Sequence, residues 1–163
     1  MMRSLVMLSV CAFLFMSCGG MSEDEIWSKA NASKDSTSAK ERLRYCSMLV
    51  EKYPKSAHVP DALWKAATIS SDELRDYGSA VRYYEEFFRK YPDRPDAPKA
   101  LFLTAFLYNN ELHIVDSARL YYTEFQRRYP ANELASSARY ELDNLGKPPE
   151  ALIAPPKVAR KRR

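Results

Sequence analysis

The residues best suited to chemistry are few. Two histidines, His58 and His113, stand far apart in the chain, with no His-Glu-x-x-His motif and no cysteine pair beside them. Metal sites gather such ligands at short, regular spacings, so solvated or hydrogen-bonded histidines are expected here. Glu85-Glu86 and Glu23-Asp24-Glu25 are sequence neighbours. Neighbours on a helix do not face each other, so they make poor acid–base pairs. There is no G-x-S-x-G elbow and no glycine-rich loop carrying a lysine, and the chain has only 4 glycines to build one. The sequence therefore predicts no enzyme, no metal, no cofactor and no small-molecule substrate.

The three cysteines point elsewhere. Met1-Met2-Arg3 is a short positive start, and Ser4 to Met16 is an apolar run of 13 residues. That run is too short for a membrane span and reads as a secretory signal over residues 1–17. The junction Phe15-Met16-Ser17-Cys18 resembles the bacterial lipoprotein box, with Phe15 where leucine is usual. The resemblance implies that Cys18 becomes residue one and carries fatty acyl chains such as palmitate. Plain secretion with cleavage nearby is the alternative. Gly19 would be compatible with sorting to the outer membrane, and Ser22-Glu23-Asp24-Glu25 resembles the acidic signal that sends some lipoproteins to the cell surface. Cys11 lies in the removed segment, so Cys46 would be the one thiol left, on an apolar helical stripe that suits a buried, inert side chain.

These features sit in a chain of 163 residues, room for one ordinary domain. A hydrophobic fraction of 46% with 28% charged residues suits a folded body. The net charge of +4 is unevenly placed, because five of the last seven residues are basic. Residues 147–163, with Pro148-Pro149, Pro155-Pro156 and then Lys157, Arg160, Lys161, Arg162 and Arg163, are expected to be a disordered tail. Behind a signal peptide, nucleic acid is not the expected partner. Anionic lipid, cell-wall polymer or an acidic protein patch is, unless the tail is simply solvated.

The elements that carry the rest repeat. LVEKYP closes at Pro54, FFRKYP at Pro92 and FQRRYP at Pro130, 38 residues apart each time. Tyr45, Tyr83 and Tyr121 align, as do Cys46, Tyr84 and Tyr122, then Leu49, Phe87 and Phe125. Beyond the prolines Ala62, Ala100 and Ala138 align, followed by Trp64, Phe102 and Tyr140. A period in this range signals a solenoid of supersecondary units. Within each unit the period is helical: Tyr77, Ala80, Val81, Tyr84, Phe87, Phe88 and Tyr91 form one stripe. Each proline pushes the residue before it out of the helical region and ends the helix. The short runs Lys55-Ser56, Asp93-Arg94 and Ala131-Asn132 are expected to cap the next helix, with Pro60 and Pro98 in its first turn. Seven helices follow, at 23–32, 38–53, 57–73, 77–91, 96–110, 114–129 and 132–145. Ser22 with Glu25 and Ser38 with Glu41 read as capping boxes. The apolar stretch Ala100–Tyr108 reads as a helix covered on both sides. The last helix keeps one apolar and one polar face, as a capping element should.

This pattern resembles the tetratricopeptide repeat, in the variant found in periplasmic lipoproteins. Ala67 and Ala105 match its small residue in the first helix of a pair. Ala80 and Ala118 match the alanine of the second helix, Tyr84 and Tyr122 the aromatic, and Pro54, Pro92 and Pro130 the closing proline. The expected fold is all-α, a solenoid of about three repeats over residues 23–146 joined to residue 18 by a short linker. The similar families are the BamD-like lipoproteins of outer-membrane β-barrel assembly and the periplasmic coordinator of the Tol–Pal system. The resemblance implies a lipid-anchored scaffold on the periplasmic face of a bacterial outer membrane, with surface exposure as an alternative. Its partners would be envelope proteins of outer-membrane assembly, or alternatively Tol–Pal, cell-wall or division proteins. Family position places Trp64, Thr68, Phe102, Phe106 and Asn109 on a concave groove, although the three aromatics suit a plain core equally well. Arg42 departs from the pattern, standing where alanine is expected, so the first helix pair should pack loosely.

Overall fold

A computed structural model describes residues 20–147, so the signal segment, Cys18 and residues 148–163, with the basic tail residues Lys157 to Arg163, lie outside the described residues. Seven α-helices follow in order: α1 Glu23–Ala30, α2 Ala39–Lys52, α3 Val59–Thr68, α4 Tyr77–Lys90, α5 Ala97–Asn110, α6 Val115–Arg128 and α7 Ala135–Asn144. They pack as antiparallel pairs, α1 with α2, α3 with α4 and α5 with α6. Each first helix also meets the second helix of the pair before it, and α7 closes the stack on α6. The described residues hold no strand.

The recurring Tyr-Pro is a recurring backbone. Tyr53, Tyr91 and Tyr129 sit at φ/ψ of −125/58, −128/57 and −131/51, each as the residue that ends its helix. The turn after each is tied alike, by Ser56 N–H to the Tyr53 carbonyl, Arg94 N–H to Tyr91 and Asn132 N–H to Tyr129. The following proline forbids helical geometry at the tyrosine, and the chain reverses. These tyrosines are half-buried. The fully buried aromatics are Phe87, Phe88, Tyr122 and Phe125 one or two turns earlier. Each contributes about 1.5–3 kcal/mol by leaving water.

The other turns, from first helix to second, differ from expectation. The helix expected over 57–73 stops at Thr68 and widens into a π-helical turn, Ile69–Glu73. Leu74 N–H bonds the Ile69 carbonyl and Asp76 N–H the Ser70 carbonyl, and 38 residues on Leu112 bonds Leu107 and Ile114 bonds Tyr108. The chain swings out through a left-handed residue at the same register, Arg75 (φ 53) and His113 (φ 55). Neither is glycine, so the sequence carried no marker for this turn.

The expected caps divide. Ser22 and Glu25 form a complete capping box. Ser38 accepts from Glu41 N–H without the reciprocal bond to its own backbone. The runs after the prolines do not cap α3, α5 or α7, whose N-caps are His58, Asp96 and Leu134 with no side-chain bond to the helix. Ser56 and Asn132 instead accept from the N–H two residues on, at His58 and Leu134, and so fix the turn itself. Pro60 and Pro98 do occupy first turns.

The expected loosening at Arg42 is not seen. Its side chain is 6% exposed, and Nη2 meets Glu73 Oε2 at 2.5 Å while Nε donates to the Thr37 carbonyl. The guanidinium reaches past the alanine-sized site into the π-helical turn, where its donors find acceptors. Ile26, Ala30, Cys46 and Leu49 around it remain fully buried. Burial pushes the Cys46 thiol up to about 11, which keeps it protonated and unreactive at neutral pH.

Second helices are also tied to one another. Tyr83 on α4 meets Ser47 on α2 at 2.7 Å, and Tyr121 on α6 donates to Glu85 on α4 at 2.5 Å. Both ties join the same two repeat positions, one unit apart. At the N-terminal end Tyr53 donates to the Met21 carbonyl and Ser56 to Glu23, so the linker is already docked on the body by residue 21.

Candidate functional site: a concave aromatic groove

The first helices turn a common face away from their partners. On α3, Asp61, Trp64, Lys65 and Thr68 recur at helical spacing and line a hollow of about 340 Å³ together with Trp27 of α1, Asn31 just after it, Arg94 and Asp96. A larger hollow of about 500 Å³ lies between α3 with its π-helical turn and α5, with Tyr84 as part of its wall. Trp64 and Thr68 line both, so the two hollows share a wall and form one groove across three units.

Trp64 is half-buried. Its ring meets Tyr84 and Phe87 edge-on, with centroids 5.4 and 5.5 Å apart, and Lys99 Nζ lies over the ring at 5.6 Å from its centroid. Trp27 stacks on His58 at 4.8 Å, with Lys65 Nζ 6.0 Å from its ring. Each indole thus has an aromatic neighbour and a lysine over its ring, an arrangement that sets a positive charge beside aromatic surface. Arg94 Nη2 bridges to Asp61 Oδ1 at 2.6 Å and ties the α4–α5 turn to the groove wall. Asp72 and Glu111 on the larger hollow balance Arg75 and Lys99. Burial, with the Asp72 charge nearby, pushes the Tyr84 phenol up to about 12, so it stays protonated at neutral pH.

Of the expected groove residues, Trp64, Thr68 and Phe106 come together at the larger hollow. Phe102 does not line either hollow. It stacks on Phe106 at 6.4 Å and meets Tyr122 and Phe125 edge-on, holding for α5 and α6 the place Trp64 holds for α3 and α4. Asn109 is half-buried and lines neither hollow; it is the third-unit counterpart of Ser71, which lines the larger one. Sequence reasoning missed Trp27, Lys65 and Leu103, which form one repeat column at 38-residue steps, and also Asp61 and Lys99, which form another. The signal was available: extending the register of the aromatics to their polar neighbours finds both columns.

Among the described residues, no three of His, Cys, Asp and Glu gather as a metal site, and no helix is long and apolar enough to cross a membrane. Residues 61–94, which run from the first turn of α3 through the π-helical turn, α4 and into the turn after it, match the family model for the tetratricopeptide repeat. No curated protein matches the chain. With that match and seven helices in stacked antiparallel pairs, the described residues form an all-α, tetratricopeptide-like solenoid.

Proposed function

We propose that this chain is a non-catalytic scaffold that holds an extended or helical segment of a partner protein in the groove walled by Trp64. The observation that carries this is the single groove made by two hollows across three repeat units, with aromatic surface on its floor and paired charges on its rim. Tetratricopeptide repeats are protein-interaction modules, and a groove of this kind supplies buried aromatic anchors within a polar rim. Groove cations and anions balance in number, so the partner segment is held by apolar and hydrogen-bonding contacts more than by net charge.

The finer reading is a lipid-anchored scaffold at the bacterial outer membrane, attached through Cys18 and serving β-barrel assembly. It is supported by the lipoprotein-box resemblance and the Tyr-Pro repeat variant, both features of the sequence. Its test is brief cross-linking in envelopes, affinity purification of the tagged chain and mass spectrometry of what is recovered. The barrel-forming assembly subunit among the partners would support the reading. Tol–Pal or cell-wall components alone would replace it with an adaptor role. Cys18→Ala should abolish acyl labelling and release the chain from membranes; retention at the membrane would sink the anchor.

A further inference from the structure

The outer faces of the second helices carry cations that their own carboxylates leave unmatched. Arg82 and Arg89 lie two turns apart on one line of α4, and the core residues Ala80, Tyr84 and Phe87 lie on the other side of the helix. Arg44 on α2 holds the repeat position of Arg82, and Arg127 on α6 that of Arg89. All four arginines are exposed. Glu86 follows Arg82 by four residues and Glu85 precedes Arg89 by four, the spacing at which helical ion pairs form. The structure engages both carboxylates elsewhere. Glu85 accepts from Tyr121 and Tyr108, and Glu86 holds Lys90 at 2.7 Å. On α6, Glu124 holds Arg128 at 3.1 Å and leaves Arg127 without it. Among the described residues none of the four arginines makes an ion pair. Arg44 and Arg82 donate only to uncharged neighbours, Tyr45 and Ser79.

Two further features describe what such a face fits. The arginines are spread in two directions, across three helices and along two turns, with the carboxylates Glu51 of α2 and Asp116 of α6 at opposite corners. A single acidic segment follows one line, whereas a plane of phosphates meets all four guanidinium groups at once. Leu120, 61% exposed, stands on α6 at the repeat position of Arg44 and Arg82. An outermost leucine in line with arginines suits an interface that takes both charge and apolar surface, as the headgroup layer of a bilayer does.

We propose, resting on the membrane attachment through Cys18, that this outer face lies on an anionic phospholipid surface, with the arginines on lipid phosphates and Leu120 among the headgroups. The groove is lined by the first helices, on the other side of the solenoid, so it then opens away from the bilayer. The attraction is electrostatic, so it needs negatively charged lipid and weakens with salt.

The test reconstitutes the purified full chain with vesicles of phosphatidylcholine, alone or mixed with phosphatidylglycerol, each doped with a nitroxide-headgroup lipid as quencher. A thiol-reactive dye is placed on the outer face at Thr123→Cys or in the groove at Thr68→Cys; the buried Cys46 takes none. Flotation with both kinds of vesicle scores the anchor. In vesicles with phosphatidylglycerol, the dye at Thr123→Cys should be quenched several-fold more than that at Thr68→Cys, and added salt or phosphatidylcholine alone should remove the excess. Arg44→Gln, Arg82→Gln and Arg127→Gln together should also remove it, with flotation and thermal melting unchanged. Flotation with phosphatidylglycerol vesicles only, lost in that triple variant, would reject the anchor and keep the face. Flotation with both vesicles but equal quenching at the two dyes would reject the face and keep the anchor, and flotation with neither would reject both. Excess quenching that survives the triple variant, or an acidic protein cross-linked through these arginines in envelopes without it, would overturn the proposal.

Discussion

Tyr121 donates its hydroxyl proton to the Glu85 carboxylate across 2.5 Å, and Tyr108 stacks on Tyr121 with ring centroids 5.4 Å apart while reaching the same oxygen at 3.4 Å. One carboxylate thus ties α4, α5 and α6 together. The equivalent tie between α2 and α4 uses two hydroxyls, Ser47 and Tyr83. A hydrogen bond to a charged group is worth about 1.5–3 kcal/mol. Tyr121→Phe should therefore cost about 2 kcal/mol in urea unfolding, and Tyr83→Phe about 1 kcal/mol, the usual value for neutral partners. Equal losses from the two variants would show that the carboxylate adds nothing.

Alkaline pH should unfold this chain in a defined order. Burial holds Cys46 at about 11 against an ordinary 9.0, and Tyr84 and Tyr121 at about 12 against 10.0. All three are raised in the folded state, so the unfolded chain loses these protons first and stability falls as pH rises. The contribution is intact below pH 9, declines first through Cys46 and then, above pH 10, through the tyrosines. Denaturant midpoints measured from pH 7 to 12 should show this. Cys46→Ala should flatten the first part of the decline and leave the second.

Acid acts through Glu73. Its hydrogen bond to Arg42 lowers its carboxyl below the ordinary 4.5, so the pair stabilises the fold above that value and the contribution is lost as pH falls below it. Glu73→Gln at pH 7 leaves a buried guanidinium without its anion and should cost about 2 kcal/mol. Arg42→Ala, which restores the alanine of the other units, should recover most of that loss when combined with Glu73→Gln. A double variant no more stable than Glu73→Gln alone would mean the pair is not coupled.

His113→Gly should raise stability. A left-handed backbone costs a side-chain-bearing residue about 1–2 kcal/mol, and glycine removes that cost while adding chain entropy to the unfolded state. A net gain of about 0.5–1 kcal/mol is expected from the midpoint of chemical unfolding. A loss there would show that the His113 side chain makes a compensating contact.

For the groove, Thr68→Arg places a long side chain into the wall shared by both hollows. Because Thr68 is only half-buried, its cost in stability should be small, within about 0.5–1 kcal/mol. Cross-linked partner recovered from envelopes should fall several-fold. Unchanged recovery with an intact fold would move the binding surface away from the groove.

Much of this was legible because a 38-residue register is a strong constraint. Pro54, Pro92 and Pro130 locate three turns whose dihedrals agree within 7°. The stripe from Tyr77 to Tyr91 locates the core that Phe87 and Phe88 fill. What stayed hidden has physical causes. Arg42 announces a mismatch, but its acceptor lies 31 residues away on a turn that no sequence signal marks. Arg75 and His113 adopt a conformation usually marked by glycine or asparagine. Lys65, Lys99 and Asp61 look like an ordinary solvated helix face until α1 and α5 are set beside α3.

The grip of Tyr53 on Met21 has a mechanical consequence. Residue 21 moves with the body as one piece for as long as that bond holds. Under the proposed attachment at Cys18, at most about 10 Å of backbone would separate the anchor from the body. The groove would then stay close to the membrane face, and a longer linker would extend its reach without changing any contact in the groove.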